Sequence, residues 1–288
     1  MHMAFKSGFV AVVGKANVGK STLVNALIGH KVSIVSPKPQ TTRNQILGVD
    51  NGPDYQVIFI DTPGIHKSKN NLDKQMQATI DEATSDVDLL LYVIDGNKAL
   101  DDDVTSKLKR YTNQGYPVFV VINKLDLGSF ETIYPKLNTL KNIAGIEEFF
   151  VVSAKTGKNL DELKKNIVAK LSDTIEYYPR DVFSAQSESF NLAELIREKA
   201  LWMFEAEIPH GIGVEITNIE KLPDITRVAA TIYCEKENHK AIIIGEKGKK
   251  LAELGENCRL AMEKLLKTKV YLDLFVKVNL NWRDKVKV

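Results

Sequence analysis

The chain has 288 residues, 44% of them hydrophobic and 26% charged, yet a formal net charge of only +2. Its length suits two domains better than one, and its apolar content is enough to fill a core in each. No apolar run approaches the roughly 20 residues of a membrane helix, no secretory signal pattern opens the chain, and Cys234 and Cys258 lack metal-ligand spacing, so a cytoplasmic protein with reduced thiols is expected.

Residues 9–13 are an apolar run that reads as a buried strand. The segment G-K-A-N-V-G-K-S follows, comprising Gly14, Lys15, Ala16, Asn17, Val18, Gly19, Lys20 and Ser21, and Thr22 continues into a helical pattern over 20–29. Strand, glycine-rich loop and helix form the setting of a phosphate-binding loop. Gly14 and Gly19 let the backbone wrap closely, so that its amides face the phosphates, and the helix start adds its positive dipole end. Lys20 supplies a point charge for the outer phosphates, and the Ser21 hydroxyl can ligate Mg²⁺.

An edge strand is expected over 45–50 and a buried strand over 57–60, ending in D-T-P-G, namely Asp61, Thr62, Pro63 and Gly64. An aspartate at that strand end is placed to hold a metal through water, and the Gly64 amide can meet a terminal phosphate. Residues 65–71 are polar, flank the aspartate, and are expected to respond to nucleotide. Helix 70–85, strand 88–94, helix 101–114 and strand 118–122 come next. The last strand ends in N-K-L-D, with Asn123, Lys124 and Asp126. A carboxylate there can accept the ring N–H and exocyclic amine of guanine, a donor pair that adenine lacks, so a buried mismatch would discriminate strongly. Asn123 can brace the loop and the Lys124 stem can cover the base. Helix 129–143 and strand 148–152 precede S-A-K, with Ser153, Ala154 and Lys155, a turn whose backbone amide can reach the guanine carbonyl oxygen. Helix 159–171 closes the pattern. Short apolar strands alternating with helices predict an α/β unit, a mostly parallel sheet with helices on both faces and the nucleotide off the carboxyl ends of the strands.

Residues 175–189 contain Pro179, end in polar residues and read as a linker between domains 1–174 and 190–288. The second domain is α+β. Its elements are a helix over 190–204, strands over 213–219 and 226–233, a short helix, the loop G-E-K-G, a helix over 249–266 and a strand over 270–278. Gly245 and Gly248 would let a nucleic-acid backbone approach. Helix-end amides with Lys247, Lys249 and Lys250 could meet its phosphates. Residues 236–288 hold 13 Lys and Arg against 7 Asp and Glu, so positive charge gathers where RNA would lie.

The four nucleotide motifs, in this order, resemble the GTPases of the Ras-like superfamily. The stretch P-Q-T-T-R over 39–43 and the apolar Ile65 narrow the likeness to the translation-factor-related branch that includes the Era and thiophene-oxidation families. Ras-type switches carry a water-orienting glutamine at the position of Ile65. That resemblance assigns Mg²⁺ to Ser21, Thr42 and Asp61. It assigns the catalytic positions to Asn17, Lys20, Thr42 and Gly64, and a K⁺ ion near the phosphates to Asn17. The element order of the second domain resembles the type II K-homology fold, which implies RNA contacts at Gly245, Glu246, Lys247, Gly248, Lys249 and Lys250. Glu246 departs from the basic or small residue of many such loops.

A GTPase domain followed by this domain resembles the Era family of bacterial ribosome-assembly GTPases over essentially the whole chain. The likeness includes A-E-L-I-R-E-K at 193–199, I-P-H-G at 208–211 and N-W-R-D at 281–284. It implies a monomer that binds GTP and GDP and hydrolyses GTP slowly to GDP and phosphate. It also implies recognition of the 3′ end region of small-subunit ribosomal RNA during small-subunit assembly, and peripheral association with the inner membrane. The alternative from the residues is a regulatory GTPase whose C-terminal domain binds a protein.

Overall fold

Runs such as Leu89-Leu90-Leu91-Tyr92-Val93-Ile94 have no polar alternation, so a strand made from them must be covered on both faces. The computed structural model, which describes residues 5–65, 71–205, 208–209, 211–280 and 282, meets that demand. The first of its two units, Met1–Ala185, contains β1 (Lys6–Val13), α1 (Lys20–Ile28), β2 (Ile46–Asn51), β3 (Tyr55–Asp61), α2 (Asn71–Ala83) and β4 (Leu89–Asp95). It continues with α3 (Asp102–Asn113), β5 (Val118–Asn123), α4 (Phe130–Lys141), β6 (Ile146–Val151) and α5 (Leu160–Lys170). The sheet runs β2-β3-β1-β4-β5-β6, with β2–β3 its antiparallel pair.

Successive residues of a strand point to opposite faces. Leu89, Leu91 and Val93 therefore pack with Leu23 and Leu27 of α1 and with Leu163 and Ile167 of α5. Leu90, Tyr92 and Ile94 pack on the other side with Leu108 of α3 and with Ile133 and Leu140 of α4. Helix α3 is stopped at its start by Asp101, whose carboxylate accepts from the Val104 amide at 3.0 Å. Asp102 and Asp103 in its first turn complement the dipole. This packing brings the carboxyl ends of β1, β3, β4 and β5 and the start of α1 to one edge of the sheet.

The expected linker is shorter than its composition suggests, because residues up to Ala185 are tied to the first unit. β2 is an edge strand, and its open backbone groups find partners there. The Val49 amide donates to the Phe183 carbonyl at 2.9 Å, and the Ala185 amide donates to the Leu47 carbonyl at 3.1 Å. Fully buried Gln56 accepts from the Tyr177 and Tyr178 amides at 2.8 and 3.0 Å and donates to the Tyr178 carbonyl at 2.7 Å. His30 stacks on Phe183 at 3.6 Å. The second unit begins at Gln186, and Ser187 caps its first helix.

That unit contains α6 (Glu188–Met203), β7 (Ile212–Lys221), β8 (Ile225–Cys234), α7 (Glu237–Ile244), α8 (Lys249–Leu266) and β9 (Lys269–Val278). β7 and β8 are antiparallel, while β8 and β9 are parallel, so the chain must cross over between them. Helices α7 and α8 make that crossover, and α8 packs Leu254, Cys258 and Met262 at helical spacing against Val228, Ala230 and Ile232 of β8. Fully buried Trp282 closes over Gly213, where a Cβ would lie 2.3 Å from the indole ring. Of the motif at 281–284, Asn281, Arg283 and Asp284 lie outside the described residues. Among the described residues, no helix is long and apolar enough to cross a membrane.

Candidate functional site

The loop after β1 folds over the start of α1. The Lys20 ammonium, 6% exposed, donates to the Gly14 and Lys15 carbonyls at 3.0 and 3.1 Å. Burial lowers its pKa to about 8 against the raising effect of Asp61. The Lys15 side chain turns away from the cleft to pair with Asp101, and with Asp103 at 3.5 Å. Ala16, Asn17, Gly19, Lys20, Ser21, Thr22 and Gly64 line one cleft together with Thr41 and Thr42. Gly64 lies directly beneath the loop: a Cβ there would come 2.7 Å from the Ala16 Cα, so no larger residue fits without moving the backbone. The Ile65 amide donates to the Gly14 carbonyl at 3.0 Å. Its side chain is 3% exposed and packs with Val13, Ile80 and Tyr92, so it belongs to the core and not to the cleft. Thr62 also points inward, donating to the Val12 carbonyl at 2.7 Å, and Pro63 follows it in the turn. Of the remaining polar segment, residues 66–70 lie outside the described residues.

The Ser21 and Thr42 hydroxyls are 2.9 Å apart, whereas the Thr41 hydroxyl donates to the Lys38 carbonyl at 2.7 Å. Beside them Asp61 is fully buried, and burial raises its pKa despite the hydroxyls of Ser21, Ser33 and Thr42 around it and the charge of Lys20. Neither Asp61 oxygen receives a hydrogen bond of regular geometry. A buried carboxylate in that condition is costly. One carboxylate among neutral hydroxyls is also a hard oxygen donor set, which suits Mg²⁺. Ser33 escaped the sequence reading. Asn25 of α1 holds it there, accepting from the Ser33 amide at 2.9 Å and donating to the Ser33 carbonyl at 2.7 Å.

At the other end of the cleft Asn123, 2% exposed, spans two loops. Its side chain donates to the Val18 carbonyl at 3.0 Å and accepts from the Ala154 amide at 2.9 Å. The second bond ties the S-A-K turn to the end of β5. Ser153 donates to one Asp126 oxygen at 2.6 Å, while the residue as a whole remains exposed. Lys155 is exposed beside it. Lys124 donates to the Asn17 carbonyl at 2.6 Å and to Asp95 at 2.8 Å, a partner absent from the sequence reading. The Asn17 side chain donates to the Pro37 carbonyl at 2.9 Å, which ties the phosphate loop to the segment carrying Thr42.

In the second unit, α7 ends at Gly245 and α8 starts after Gly248, with φ of 72° and 80° at these glycines. Positive φ is cheap for glycine, and the turn between the helices depends on it. Glu246, Lys247, Lys249 and Lys250 are all exposed. Beside the turn runs a groove between α8 and β9, lined by Gly248, Leu251, Ala252, Gly255, Arg259 and Tyr271. Tyr271 is 53% exposed, an aromatic surface suited to stacking on a base. It and Arg259 went unmarked in the sequence because neither belongs to a motif. Their only signal is their position: Tyr271 falls on the outward phase of β9, and Arg259 lies two turns along α8 from Leu251 and Ala252.

Phosphate loop, buried carboxylate and base-reading loop on a mostly parallel sheet, followed by a K-homology unit, define a P-loop GTPase with an appended K-homology domain. Residues 9–124 match the family described as 50S ribosome-binding GTPase, and residues 207–283 match the KH domain. The GTPase Era of Halothermothrix orenii is 42% identical over 287 residues, covering 98% of this chain and 96% of that protein. The GTPase Era of Clostridium botulinum strain Hall is 43% identical over 281 residues, covering 97% and 95%. An Aquifex aeolicus Era variant solved with GDP·AlF4⁻ superposes with a TM-score of 0.93 at 37% identity, covering 98% of this chain and 97% of that one. Era solved with MgGDPNP and nucleotides 1506–1542 of 16S ribosomal RNA gives a TM-score of 0.93 at 38% identity with the same coverage. The chain belongs to the Era family of GTPases.

Proposed function

We propose that the protein is a GTP-hydrolysing switch that binds the 3′ end region of small-subunit ribosomal RNA and acts in small-subunit assembly and rRNA maturation. One observation carries this reading. The chain joins a cross-braced triphosphate site to an exposed G-E-K-G turn beside an aromatic-edged groove. A relative matching it over 98% of its length is solved with both MgGDPNP and a 16S RNA segment.

Hydrolysis here transfers a phosphoryl group to water, a task met by positioning and charge. Lys20, fixed by two carbonyls, meets the outer phosphates, and the Gly64 amide meets the terminal one. Ser21, Thr42 and Asp61 would hold Mg²⁺, which neutralises charge on the phosphate oxygens when bound. Thr42 closes over the cleft through its contact with Ser21. Asp126, steadied by Ser153, accepts the guanine N–H pair. Asn17 contributes to a K⁺ site that supplies positive charge near the phosphates, since Ile65 cannot orient water. Single-turnover hydrolysis should be faster in K⁺ than in Na⁺, and equal rates, with Asn17→Asp also silent, would remove the cation. Cytoplasmic residence, a monomeric state and peripheral contact with the inner membrane complete the reading.

The RNA function is tested by affinity for a 16S 3′ end fragment at several salt concentrations. Phosphate contacts release counterions, so affinity should fall steeply with salt. Absence of measurable RNA binding, with capture of a protein partner instead, would favour a regulatory GTPase.

A further inference from the structure

We propose that Asp95 is a positioning residue for guanine-nucleotide binding, which together with Asn97 fixes Lys124 so that its stem is set in advance as the platform for the base. The inference rests on Asn123 to Asp126 being the base loop.

Asp95 ends β4 in register with Asn123 at the end of β5. It is 8% exposed. One carboxylate oxygen accepts from the Lys124 ammonium at 2.8 Å, and the other accepts from the Asn97 amide at 3.0 Å. The same ammonium donates to the Asn17 carbonyl at 2.6 Å, so it bridges the end of β4 and the phosphate loop. The backbone of Lys124 is held from the same side. Its carbonyl accepts from the Asn97 side chain at 3.0 Å, and the Gly96 amide donates to the Asn123 carbonyl at 2.8 Å. Lys136 of α4 closes the turn by donating to the Gly96 carbonyl at 2.6 Å. Lys124 needs this support because its φ of 68° is uncommon for a residue with a side chain. Burial pushes the Asp95 carboxyl up, but the Lys124 ammonium and the Asn97 amide outweigh it and hold it below the usual range.

A lysine stem is a poor platform while it samples its rotamers, and ordering it during binding weakens affinity. With its carbonyl tied to Asn97 and its ammonium tied to Asp95 and Asn17, Lys124 is ordered beforehand. The gain applies to any base lying on the stem and carries no information about the exocyclic amine. Asp126 supplies that information. The two aspartates therefore have separable signatures.

The experiment measures affinity of the full chain for GDP, for inosine diphosphate, which lacks the exocyclic amine, and for xanthosine diphosphate. Asp95→Asn should weaken GDP and inosine diphosphate by the same factor, about tenfold, with GDP still preferred over xanthosine diphosphate. In a Lys124→Met background the added Asp95→Asn should change affinity less than about twofold, because the group it positions is gone. Asn97→Ala, at an exposed position, removes the hold on the residue-124 carbonyl, which persists in that background, so it should weaken GDP about threefold with or without the lysine, and GDP affinity within about twofold of wild type would overturn the proposal. It decides the matter if Asp95→Asn does not fold. GDP affinity within about twofold of wild type in Asp95→Asn, or equal losses from Asp95→Asn with and without Lys124, would also overturn the proposal. If instead Asp126→Asn leaves the preference for GDP over xanthosine diphosphate intact, the base-loop assignment fails by itself, whatever Asp95 does.

Discussion

Lys20 and Asp61 of the first unit are 6% and 0% exposed, whereas Lys247, Lys249 and Lys250 of the second stand in solvent. The buried set has its geometry fixed in advance: two carbonyls hold Lys20, and Asn123 joins two loops. Such a site recognises a fixed constellation of atoms and excludes water, and removing one member strands its neighbours. On the proposed function the exposed set would face a flexible polyanion along an open surface. Each lysine there would act through counterion release, in high dielectric, and nearly independently of the next. Losses in the first unit should therefore be large and coupled, while those in the second should be modest and additive unless the backbone itself is blocked.

The sharpest break of that comparison is at the base. Asp126→Asn removes acceptance of two hydrogen bonds, each contributing about 1.5–3 kcal/mol when one partner is charged. GTP affinity should fall about 10²–10⁴-fold, and xanthosine triphosphate should become preferred, because its carbonyl replaces the guanine amine. Competition among the triphosphates reads this directly, and an unchanged preference for GTP would mean that another group reads the base.

Ile65 and Thr42 make the next contrast, between a core residue and a cleft residue. Ile65→Ala deletes a buried side chain and should destabilise the protein by about 2–5 kcal/mol, while hydrolysis per folded molecule stays near wild type. Thr42→Ala should do the reverse, keeping stability and slowing hydrolysis about tenfold or more, within the range for loss of a transition-state contact. Urea unfolding paired with single-turnover rates separates them. A normal melting profile with lost hydrolysis in Ile65→Ala would put that residue in the chemistry.

The buried Lys20 predicts a smaller, pH-dependent effect. Its pKa in the nucleotide-free protein is about 8, below the ordinary 10.5. The unfolded chain thus binds more protons than the folded one between these values, and the contribution of Lys20 to nucleotide-free stability rises with pH across that window. Bound phosphates raise the pKa again, so nucleotide binding takes up a proton, and affinity declines as pH rises through about 8. Calorimetry near pH 8 in buffers of different ionisation heat should detect the uptake. No uptake would mean that Lys20 is already fully charged in the free protein.

The smallest effects belong to the second unit. Lys247→Ala and Lys249→Ala should each weaken RNA binding slightly and flatten the salt dependence by about one unit of slope per lost phosphate contact. The double variant should show the sum. Strong non-additivity would show that these lysines form a preset site like the one in the first unit.

The same contrast explains what the sequence made legible. Phosphate loop, D-T-P-G and N-K-L-D were readable because each packs its chemistry into a few consecutive residues between a strand and a turn. The helix of 249–266 and the strands around it were readable from period alone, as Leu254, Cys258 and Met262 show. Partners that meet only through the fold were not. Asp95 lies 29 residues from Lys124 and Gln56 lies 121 from Tyr177, and nothing local distinguishes that aspartate from a surface one. The linker was misjudged for the same reason. Its polar, proline-containing composition is that of a loose connector, yet the open edge of β2 captures it through backbone bonds that any sequence can make. The S-A-K turn was legible as a turn after a strand, but the bond that its Ala154 amide donates to Asn123, 31 residues away, was not.

The central claim is that guanine nucleotide and RNA are bound by physically separate machinery, and Gly245→Asp combined with Gly248→Asp tests it most directly. A Cβ at Gly248 meets nothing within 4 Å, whereas one at Gly245 would come 2.8 Å from the Lys250 Cγ on a backbone, φ 72° and ψ 179°, that essentially only glycine adopts, so Gly248→Asp alone serves as the milder companion variant. At Gly248, whose φ of 80° and ψ of 6° are left-handed helical, aspartate is tolerated better than most residues. The measurement is affinity for the 16S 3′ end fragment and for GTP, with circular dichroism as the folding control. The account predicts that RNA binding falls at least about 100-fold, as expected where side chains and negative charge block the backbone approach, while GTP affinity is unchanged. A folded double variant that still binds the RNA tightly would contradict it, and would leave G-E-K-G as a structural turn in a domain with another partner.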